Sequence, residues 1–526
     1  MRGAGAFLIA AMAFILAAGP AAAAGITPEI ADYVPAAPVI YLEAESLKAL
    51  ADSVERLEAA EAFGKSAAPE RYSKSKLSLK LADRAETLSE FLGEEVTLNK
   101  LLDLGTGRMG LALYDIGELE FLIIARKRPG TTRVARFVSS HQGFDKRRLA
   151  DRDYYIKQDE SGMAFAFTET EDLLVLSNSI GLIEDVLKCM QDPAGPDSIY
   201  ADERFRDLLA EQKLHPEVEG GLFMYLNQEA IAGTTYFKVY WVFGNQKALS
   251  GIRAAGIWLE KRAGGGLAEH RLLLWDPEVK FDLERTLDMG DLGEKYMVHL
   301  SAYSAEGRPF NPKMLDGFIG TDFEHDKTGA LDAGQLRVAA EVVLPRTSKE
   351  TGVLSTARMA VLLQHEQGAN ARLTAQSMAH SIEEQILSKL IIAPREFGFE
   401  DRGNGIKALS IAPGREVYIA EIQGGAVLIS NDADLIREGM ESIKVADVSG
   451  PMVIDYGSVP ARLLAPDFRS GMDTLGSGSG WSDMSAKRFF SGIGGGYLDA
   501  LERFEQVSYQ VIHFGRFDYE VVTFAP

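Results

Sequence analysis

A short pattern of apolar and polar positions occurs twice along the chain. The first copy is Leu173–Asn178, an apolar run closed by Ser-Asn, and a helical stretch that ends at Met190 follows it. The second copy is Ala426–Asn431, again closed by Ser-Asn and followed by a helical stretch that ends at Ile443. The copies align without a gap. Each predicts a buried strand, a polar helix cap and an amphipathic helix.

The segments around both copies predict antiparallel strands. Alternating runs before each copy indicate a meander, and each half ends in a predicted hairpin. One hairpin pairs Ile252–Lys261 with Leu267–Trp275, and the other pairs Val507–Phe514 with Phe517–Phe524. Duplication of one α+β module explains this arrangement, and chance similarity of apolar patterns is the alternative. We therefore predict an α+β fold of two related lobes, each with a mostly antiparallel sheet of meanders and hairpins packed by amphipathic helices.

The boundary between the lobes is placed in a charged segment without a firm pattern. The first lobe is predicted at 25–285 and the second at 286–526. A stretch rich in glycine and serine, 472–496, is predicted to be a loop within the second lobe.

Other segments carry single predictions. Ala62–Lys80 is small, polar and basic and is predicted to be a loop. Ser46 is predicted to cap a helix. Leu98–Leu104, Thr131–His141 and Leu354–Leu363 are each predicted to be helical.

The first 24 residues have the pattern of an export signal. Arg2 precedes an apolar run, Ala6–Ala18, and Ala22–Ala24 supplies small residues for cleavage after Ala24. We expect a periplasmic or secreted protein, with an uncleaved N-terminal anchor as the alternative. No later stretch is apolar over the length that a membrane helix needs, so no integral membrane span is predicted after removal of the signal.

Charge and cysteine content narrow the functional classes. The net charge of −21 argues against a nucleic-acid surface, which needs a basic stripe. Cys189 is the one cysteine of the 526 residues, so no internal disulfide is possible. It is predicted to fill space on the repeated helix, since its counterpart is Ser442.

Motifs for metals and cofactors lack their required context. His365-Glu366 begins the string of a zinc protease, but position 369 is Asn. Gly105–Gly110 has the spacing of a dinucleotide loop, yet it stands before a predicted strand instead of after one. We predict no metal, no cofactor and no catalytic residue.

The predicted function is a non-catalytic binding or scaffold protein of the bacterial cell envelope, whose partner is an unknown envelope protein or peptide. The nominated binding residues are Trp481, Ser482, Asp483 and Lys487, an aromatic and polar set on a predicted loop. The alternative is an exported hydrolase that uses the Ser/Asp/Lys-containing loop 477–487. A third possibility is an interaction module with an exposed sheet edge, which predicts an uncovered strand at one margin.

The same pattern resembles a class of proteins. The residues that carry the resemblance are Leu173–Met190, Ala426–Ile443 and their flanks, together with the export signal. In these features the chain resembles uncharacterised exported bacterial proteins grouped as domains of unknown function. The resemblance implies an envelope setting and no assigned activity.

Overall fold

The computed structural model describes residues 29–526 apart from 75, 93–94, 96, 98–106, 128–142, 161, 213–221, 234–251, 262–265, 277–284, 303–335, 345–357, 366–373, 390–396, 413, 424, 448–451, 467–468 and 470–493. The chain combines helices with mostly antiparallel sheet, so the fold class is α+β, as predicted. It divides into two compact units. Unit 1 comprises Met1–Asp276 with Phe517–Val521, and unit 2 comprises Pro277–Arg516 with Val522–Pro526.

Unit 1 contains strands β1 to β10 and helices α1 to α7. Its strands are β1 Ile40–Ala44, β2 Met109–Asp115, β3 Glu120–Arg126, β4 Asp145–Leu149, β5 Arg152–Gln158, β6 Ala164–Glu169, β7 Leu173–Ser177, β8 Leu222–Leu226, β9 Ile252–Lys261 and β10 Leu267–Trp275. Its helices are α1 Leu47–Glu55, α2 Glu58–Lys65, α3 Ala68–Tyr72, α4 Lys76–Leu92, α5 Ile180–Cys189, α6 Glu203–Gln212 and α7 Gln228–Gly233, with 3-10 turns at Ile30–Tyr33 and Ile199–Ala201.

The strands of unit 1 pair in the order β10-β9-β8-β1-β2-β3-β7-β6-β5-β4, and every pair is antiparallel. Two apolar clusters form part of its core. One contains Phe91 of α4 with Phe165 and Phe167 of β6. The other contains Leu42 and Leu50, so it joins β1 to α1. Burial of these side chains is the main force that holds the helices against the sheet.

Unit 2 contains the remaining elements. Its strands are β11 Arg285–Asp288, β12 Met297–Ala302, β13 Leu336–Leu344, β14 Arg358–His365, β15 Glu400–Asp401, β16 Lys407–Ala412, β17 Arg415–Ile422, β18 Ala426–Ser430, β19 Lys444–Asp447, β20 Met452–Val459 and β21 Gln506–Phe514. Its helices are α8 Leu292–Lys295, α9 Ala375–Lys389, α10 Ala433–Ser442 and α11 Gly494–Leu501. The last strand, β22 Phe517–Ala525, contributes residues to both units.

The strands of unit 2 pair in the order β21-β20-β12-β13-β14-β18-β17-β16-β15, and these pairs are also antiparallel. Strands β11 and β19 form a separate pair. Leu435 and Ile436 of α10 are buried in one core cluster of the unit, and Met378 and Ile382 of α9 are buried in another.

The Ser-Asn pairs do not cap the helices that follow them. Ser177 donates a hydrogen bond to the carbonyl of Phe121 (2.7 Å), and the Asn178 side-chain oxygen accepts one from the Phe121 amide (2.9 Å). Each pair therefore holds the neighbouring strand. The cap prediction was wrong because the serines accept along the chain from the amides of Ser179 and Asp432, which are the N-cap residues and not members of the first turn.

The second Ser-Asn pair makes the same two contacts. Ser430 donates to the carbonyl of Met359 (2.8 Å), and Asn431 accepts from the Met359 amide (2.7 Å). The helix behind it is capped instead by Asp432, which accepts from the amides of Asp434 and Leu435. We call this arrangement, seen at 177–178 and again at 430–431, the Ser-Asn clamp.

The prediction of a loop over Ala62–Lys80 is wrong. Helices α2, α3 and the first turn of α4 occupy this segment. Its charged residues stand four apart, as in the ion pairs Glu61–Lys65 and Glu70–Lys74, which is helical spacing. The small and basic composition concealed this periodicity.

The predicted helix Leu354–Leu363 is also wrong, since its described part lies in strand β14. Val361, Leu362 and Leu363 are all fully buried, because Leu362 packs in one apolar cluster and Val361 and Leu363 pack in another on the opposite face of the strand. A short apolar run buried on both faces has no period that separates strand from helix.

Several predictions fall partly or wholly outside the described residues. In the predicted loop 472–496, Gly494–Gly496 instead begins helix α11, and the rest lies outside the described part. The export signal 1–24 and the predicted helices Leu98–Leu104 and Thr131–His141 also lie outside it. None of the helices in the described part has the length and apolar character that crossing a membrane requires.

Candidate functional site

A groove in unit 1, lined by described residues, is a candidate for a binding site. It has a volume of about 290 Å³ and lies between helix α4, the β2–β3 turn and the β5–β6 turn. Its lining comprises Arg84, Thr87, Leu88, Phe91, Asp115, Glu118, Glu120, Phe121, Gly162, Met163, Ala164, Phe165 and Asn178. The elements that supply these residues are fixed by the core that Phe91 and Phe165 share.

The groove combines an apolar lining with charged groups. Three phenylalanines, a leucine and a methionine line it, and so do one arginine and three carboxylates. Arg84 donates to the carbonyl of Glu118 (3.3 Å) and lies 3.6 Å from its carboxylate. Asp115 accepts from the Glu118 amide (2.7 Å), which fixes the turn. The charged side chains that line the groove therefore sum to a net negative charge.

The Ser-Asn clamp shapes one wall of this groove. Asn178 lines the groove while it bonds to the Phe121 amide and to the Leu119 carbonyl (3.0 Å). Leu119 has a φ of 54°, an unusual value for a leucine. The clamp thus holds a strained turn in place beside the groove.

A second polar cluster lies on strands β12, β20 and β21 of unit 2. Ser301 Oγ is 3.1 Å from His299 Nε2, and His299 Nε2 is 3.2 Å from Asp455 Oδ1. Ser301 also donates to Asp455 Oδ2 (3.2 Å), and Tyr509 donates to Asp455 Oδ1 (2.8 Å). We call these four residues the Asp455 cluster.

The Asp455 cluster contains the residue types of a catalytic triad in a different geometry. A relay needs the carboxylate on one imidazole nitrogen and the serine on the other. Here Ser301 and Asp455 both approach the same nitrogen of His299, and the serine proton points to the carboxylate. The arrangement can bind a polar group, but it does not activate Ser301 as a nucleophile.

A buried carboxylate in unit 1 anchors the start of the described chain. Glu43 is fully buried, accepts from the amides of Glu29 (2.9 Å) and Ile30 (3.3 Å), and accepts a hydrogen bond from Tyr41. Arg108 lies 3.5 Å from it. Burial raises the pKa of Glu43, and these hydrogen bonds and Arg108 oppose that rise only in part. Glu43 holds the segment that follows the predicted export signal.

Cys189 is buried and makes no reactive site. Its thiol lies 3.5 Å from the Asp197 carbonyl, and burial raises its pKa to about 11. A thiol with this pKa stays protonated near neutral pH, so it is a poor nucleophile and metal ligand. This agrees with the predicted role as a filler.

The nominated residues Trp481, Ser482, Asp483 and Lys487 lie outside the described part of the chain, as does the alternative loop 477–487. The structure instead draws attention to the groove and the Asp455 cluster, which the sequence did not indicate. Within the described residues, no group of three or more His, Cys, Asp or Glu side chains is placed to hold a metal ion.

Comparisons with known proteins give little. No protein-family profile and no curated protein sequence matches the chain. Two solved structures, crystal forms I and IV of TP0453, align at 12% identity with TM-scores of 0.26 and 0.24. The alignments cover 49% and 46% of this chain and 82% and 79% of the TP0453 chain. At such scores the likeness carries no argument about fold or function.

Proposed function

We propose that this protein is an exported, non-catalytic binding protein of the bacterial cell envelope, built from two related α+β lobes that correspond to units 1 and 2. The groove of unit 1 is the proposed ligand site, and it is the observation on which the binding function rests. Export is proposed from the sequence of residues 1–24 alone.

The strand orders support the relation between the lobes. From β9 to β5 in unit 1, and from β21 to β16 in unit 2, each sheet has the same sequence of neighbours if strands are matched in chain order. The Ser-Asn clamp also occurs at the same place in both orders. It joins β7 to β3 in unit 1 and β18 to β14 in unit 2. Convergence on one order of antiparallel strands and on one clamp is less economical than duplication.

The chemistry of the groove indicates an amphipathic ligand. Its aromatic and aliphatic lining can take up an apolar body of small size, as ligand sites usually do. Its three carboxylates outnumber the single arginine, so a positively charged end is favoured over a negative one. We propose a small apolar ligand with a cationic end group.

A matched set of probes tests this proposal. Octylamine, octanol and octanoate share one apolar body and differ in charge, and calorimetry measures the binding of each to the intact protein. We expect octylamine to bind most tightly and octanoate most weakly, with a difference that shrinks as salt rises. Equal binding of all three, or none, would contradict the cationic end group or the site respectively.

Two variants locate the binding within the groove. Glu118→Gln with Glu120→Gln removes two of its charges and should weaken octylamine about fivefold, while octanol is unchanged. Glu86→Gln removes an exposed carboxylate of helix α4 that is not part of the groove lining, and it should have no effect. If Glu86→Gln weakened octylamine equally, the groove would not be the site.

The alternative remains an exported hydrolase that uses loop 477–487, and the Asp455 cluster adds a second serine, Ser301, to test beside it. Ser301 Oγ lies within hydrogen-bonding distance of a histidine nitrogen, 3.1 Å from His299. If the protein hydrolyses a general ester such as p-nitrophenyl acetate, Ser301→Ala or Ser482→Ala should abolish the activity. The geometry of the Asp455 cluster favours the result that neither substitution changes the background rate.

A further inference from the structure

Strand β4 forms one margin of the sheet of unit 1. Among the described residues it pairs only with β5, so one side of its backbone has no strand beside it. Asp145, Lys146, Arg147 and Arg148 are all exposed, although successive side chains of a strand point to opposite faces. Neither face of β4 is therefore covered over these positions.

The charge of this margin is opposite to that of the chain. Lys146, Arg147 and Arg148 are consecutive, and Arg152 follows across the turn. Lys146 pairs with Asp153 at 2.6 Å and Arg148 lies 3.7 Å from Asp151, but both basic side chains remain more than half exposed. In a protein of net charge −21, β4 is a local basic strip.

The start of β4 is anchored in the apolar core of unit 1. Phe144, which precedes it, packs against Phe167 (5.2 Å between ring centroids) and Phe165 (6.3 Å). Lys157 of the paired strand lies 5.6 Å above the Phe144 ring and donates to the Phe91 carbonyl (3.0 Å). The core of unit 1 thus presents β4 in an extended conformation without the entropy cost of ordering it on binding.

The margin of the other unit differs in length and charge. The strand at the corresponding margin of its sheet is β15, the two-residue segment Glu400–Asp401, and both residues are acidic and exposed. A very short edge strand is one common protection against unwanted pairing. Strand β4 has five residues, which is the ordinary length of a paired strand. Its charges, all but one positive, oppose basic or apolar strands and favour an acidic one.

We propose that β4 binds an acidic, extended segment of a partner protein by strand addition. The partner adds to the open side of β4 through backbone hydrogen bonds, and carboxylates on one face of the added strand lie beside Lys146 and Arg148, which share a face of β4. This surface is separate from the groove, whose lining includes no residue of β4, so the proposal does not depend on the groove.

The test uses three labelled synthetic peptides and the full-length mature protein. The first peptide alternates Glu with Val and Thr, the second carries Lys in place of Glu, and the third keeps Glu but has Pro at alternate positions. Fluorescence anisotropy should show binding of the first peptide only, because the second has the wrong charge and the third cannot pair along a strand.

Variants assign the binding to β4. Lys146→Glu with Arg148→Glu should weaken the first peptide by at least about tenfold. Lys65→Glu with Arg437→Glu makes the same charge change at exposed positions outside β4 and should leave binding within about twofold. Hydrogen exchange should slow at 145–149 on addition of the peptide, which a loss of fold in the variants could not mimic.

Other results overturn the proposal. Equal binding of the proline-containing peptide would show that only charge is recognised. Binding to vesicles that contain phosphatidylglycerol, abolished by the β4 variant while the peptide does not bind, would assign the basic strip to a membrane surface. Unchanged exchange at 145–149 with tight peptide binding would place the site elsewhere.

Discussion

The two units differ in polarity at matched positions of their central strands. Leu176 and Ile429 are equivalent positions of the repeated motif. When the residue pairs of neighbouring strands are followed from them across each sheet, they reach Leu42 in β1 and His299 in β12. The same procedure matches the apolar set Leu42, Ala44, Leu222, Met224 and Ile257 with His299, Ser301, Asp455, Gly457 and Tyr509.

Polarity is exchanged on the other side of the same strands. Tyr41 and Glu43 of β1 form a buried polar pair, whereas Val298 and Leu300 at the matched positions of β12 belong to an apolar core. Each central strand therefore carries one apolar and one polar face, on opposite sides. The comparison teaches that one strand order can support either polarity, provided that the polar groups have partners.

The strongest way to break this comparison is to place the polar group of unit 2 in unit 1. Leu222→Asp would bury a carboxylate among Leu42, Ala44 and Met224, none of which can donate a side-chain hydrogen bond. We expect a loss of about 4 kcal/mol or more in the free energy of unfolding of unit 1. Urea titration followed by hydrogen exchange measures it unit by unit.

Leu222→Met is the matched control, since it keeps the volume and apolar character and should cost under about 1.5 kcal/mol. If Leu222→Asp cost no more than this control, the apolar set of unit 1 would not exclude charge, and the contrast between the units would be lost.

Removal of the central carboxylate of unit 2 should have the next largest effect. Asp455→Ala deprives Ser301 and Tyr509 of their shared acceptor, and both side chains are at least partly buried. We expect unit 2 to lose about 3 kcal/mol. The measurement is the urea midpoint of unit 2 from hydrogen exchange.

Asp434→Ala serves as control because Asp434 is 67% exposed and pairs only with Arg437 at the start of helix α10 among the ion pairs seen. It should cost well under about 1 kcal/mol. A loss in Asp455→Ala no larger than this would mean that the Asp455 cluster does not stabilise the sheet.

Much of the fold was accessible from the sequence, for identifiable reasons. The bounds of β9 and β10 agree with the prediction because both strands are long and a glycine-rich stretch of sequence separates them. The Asp455 cluster was not predicted, because its members come from three strands far apart in the chain. Its one local signal is the alternation of His299 and Ser301 with apolar residues in β12.

The groove was less accessible still. Its residues come from a helix, two turns and the Ser-Asn clamp, and the sequence gives no distance between them. The clamp itself was recognised as a repeated motif but received the wrong partner. A serine next to an asparagine can bond locally or across a sheet, and only the packed neighbour strand decides between these.

A smaller effect concerns the dependence of stability on pH. Glu43 of unit 1 can ionise, whereas Leu300 at the matched position of unit 2 cannot. Burial raises the pKa of Glu43 above its ordinary value near 4.5. Its contribution to stability is therefore full below that value and is lost as the pH rises through the raised pKa. We expect unit 1, but not unit 2, to lose this contribution over that range.

Glu43→Gln keeps an acceptor for the amides of Glu29 and Ile30 and cannot ionise. The free energy of unfolding of unit 1 should depend less on pH in this variant than in the wild type. The two curves should lie closest at low pH, where Glu43 is protonated, and should diverge as the pH rises. Glu45→Gln, about half exposed, is the control. Parallel curves for Glu43→Gln and wild type would show that Glu43 titrates alike in both states.

The smallest expected effect lies in the turns at matched margins of the two sheets. Between β4 and β5, Ala150 and Asp151 have φ values of 55° and 59°, whereas the turn between β15 and β16 uses Gly403, Asn404 and Gly405 at positive φ. A two-residue hairpin with positive φ at both positions favours glycine, and an alanine there is strained.

Ala150→Gly should therefore stabilise the β4–β5 hairpin by about 0.5 kcal/mol, since relief of strain exceeds the added flexibility of the unfolded chain. Gly403→Ala, at φ 84° in unit 2, should destabilise its hairpin by a larger amount. Hydrogen exchange at 145–158 and 400–412 measures both. If Ala150→Gly instead weakened its hairpin, the alanine would be tolerated without strain, and the β4 edge would depend on its charges and on Phe144 alone for its rigidity.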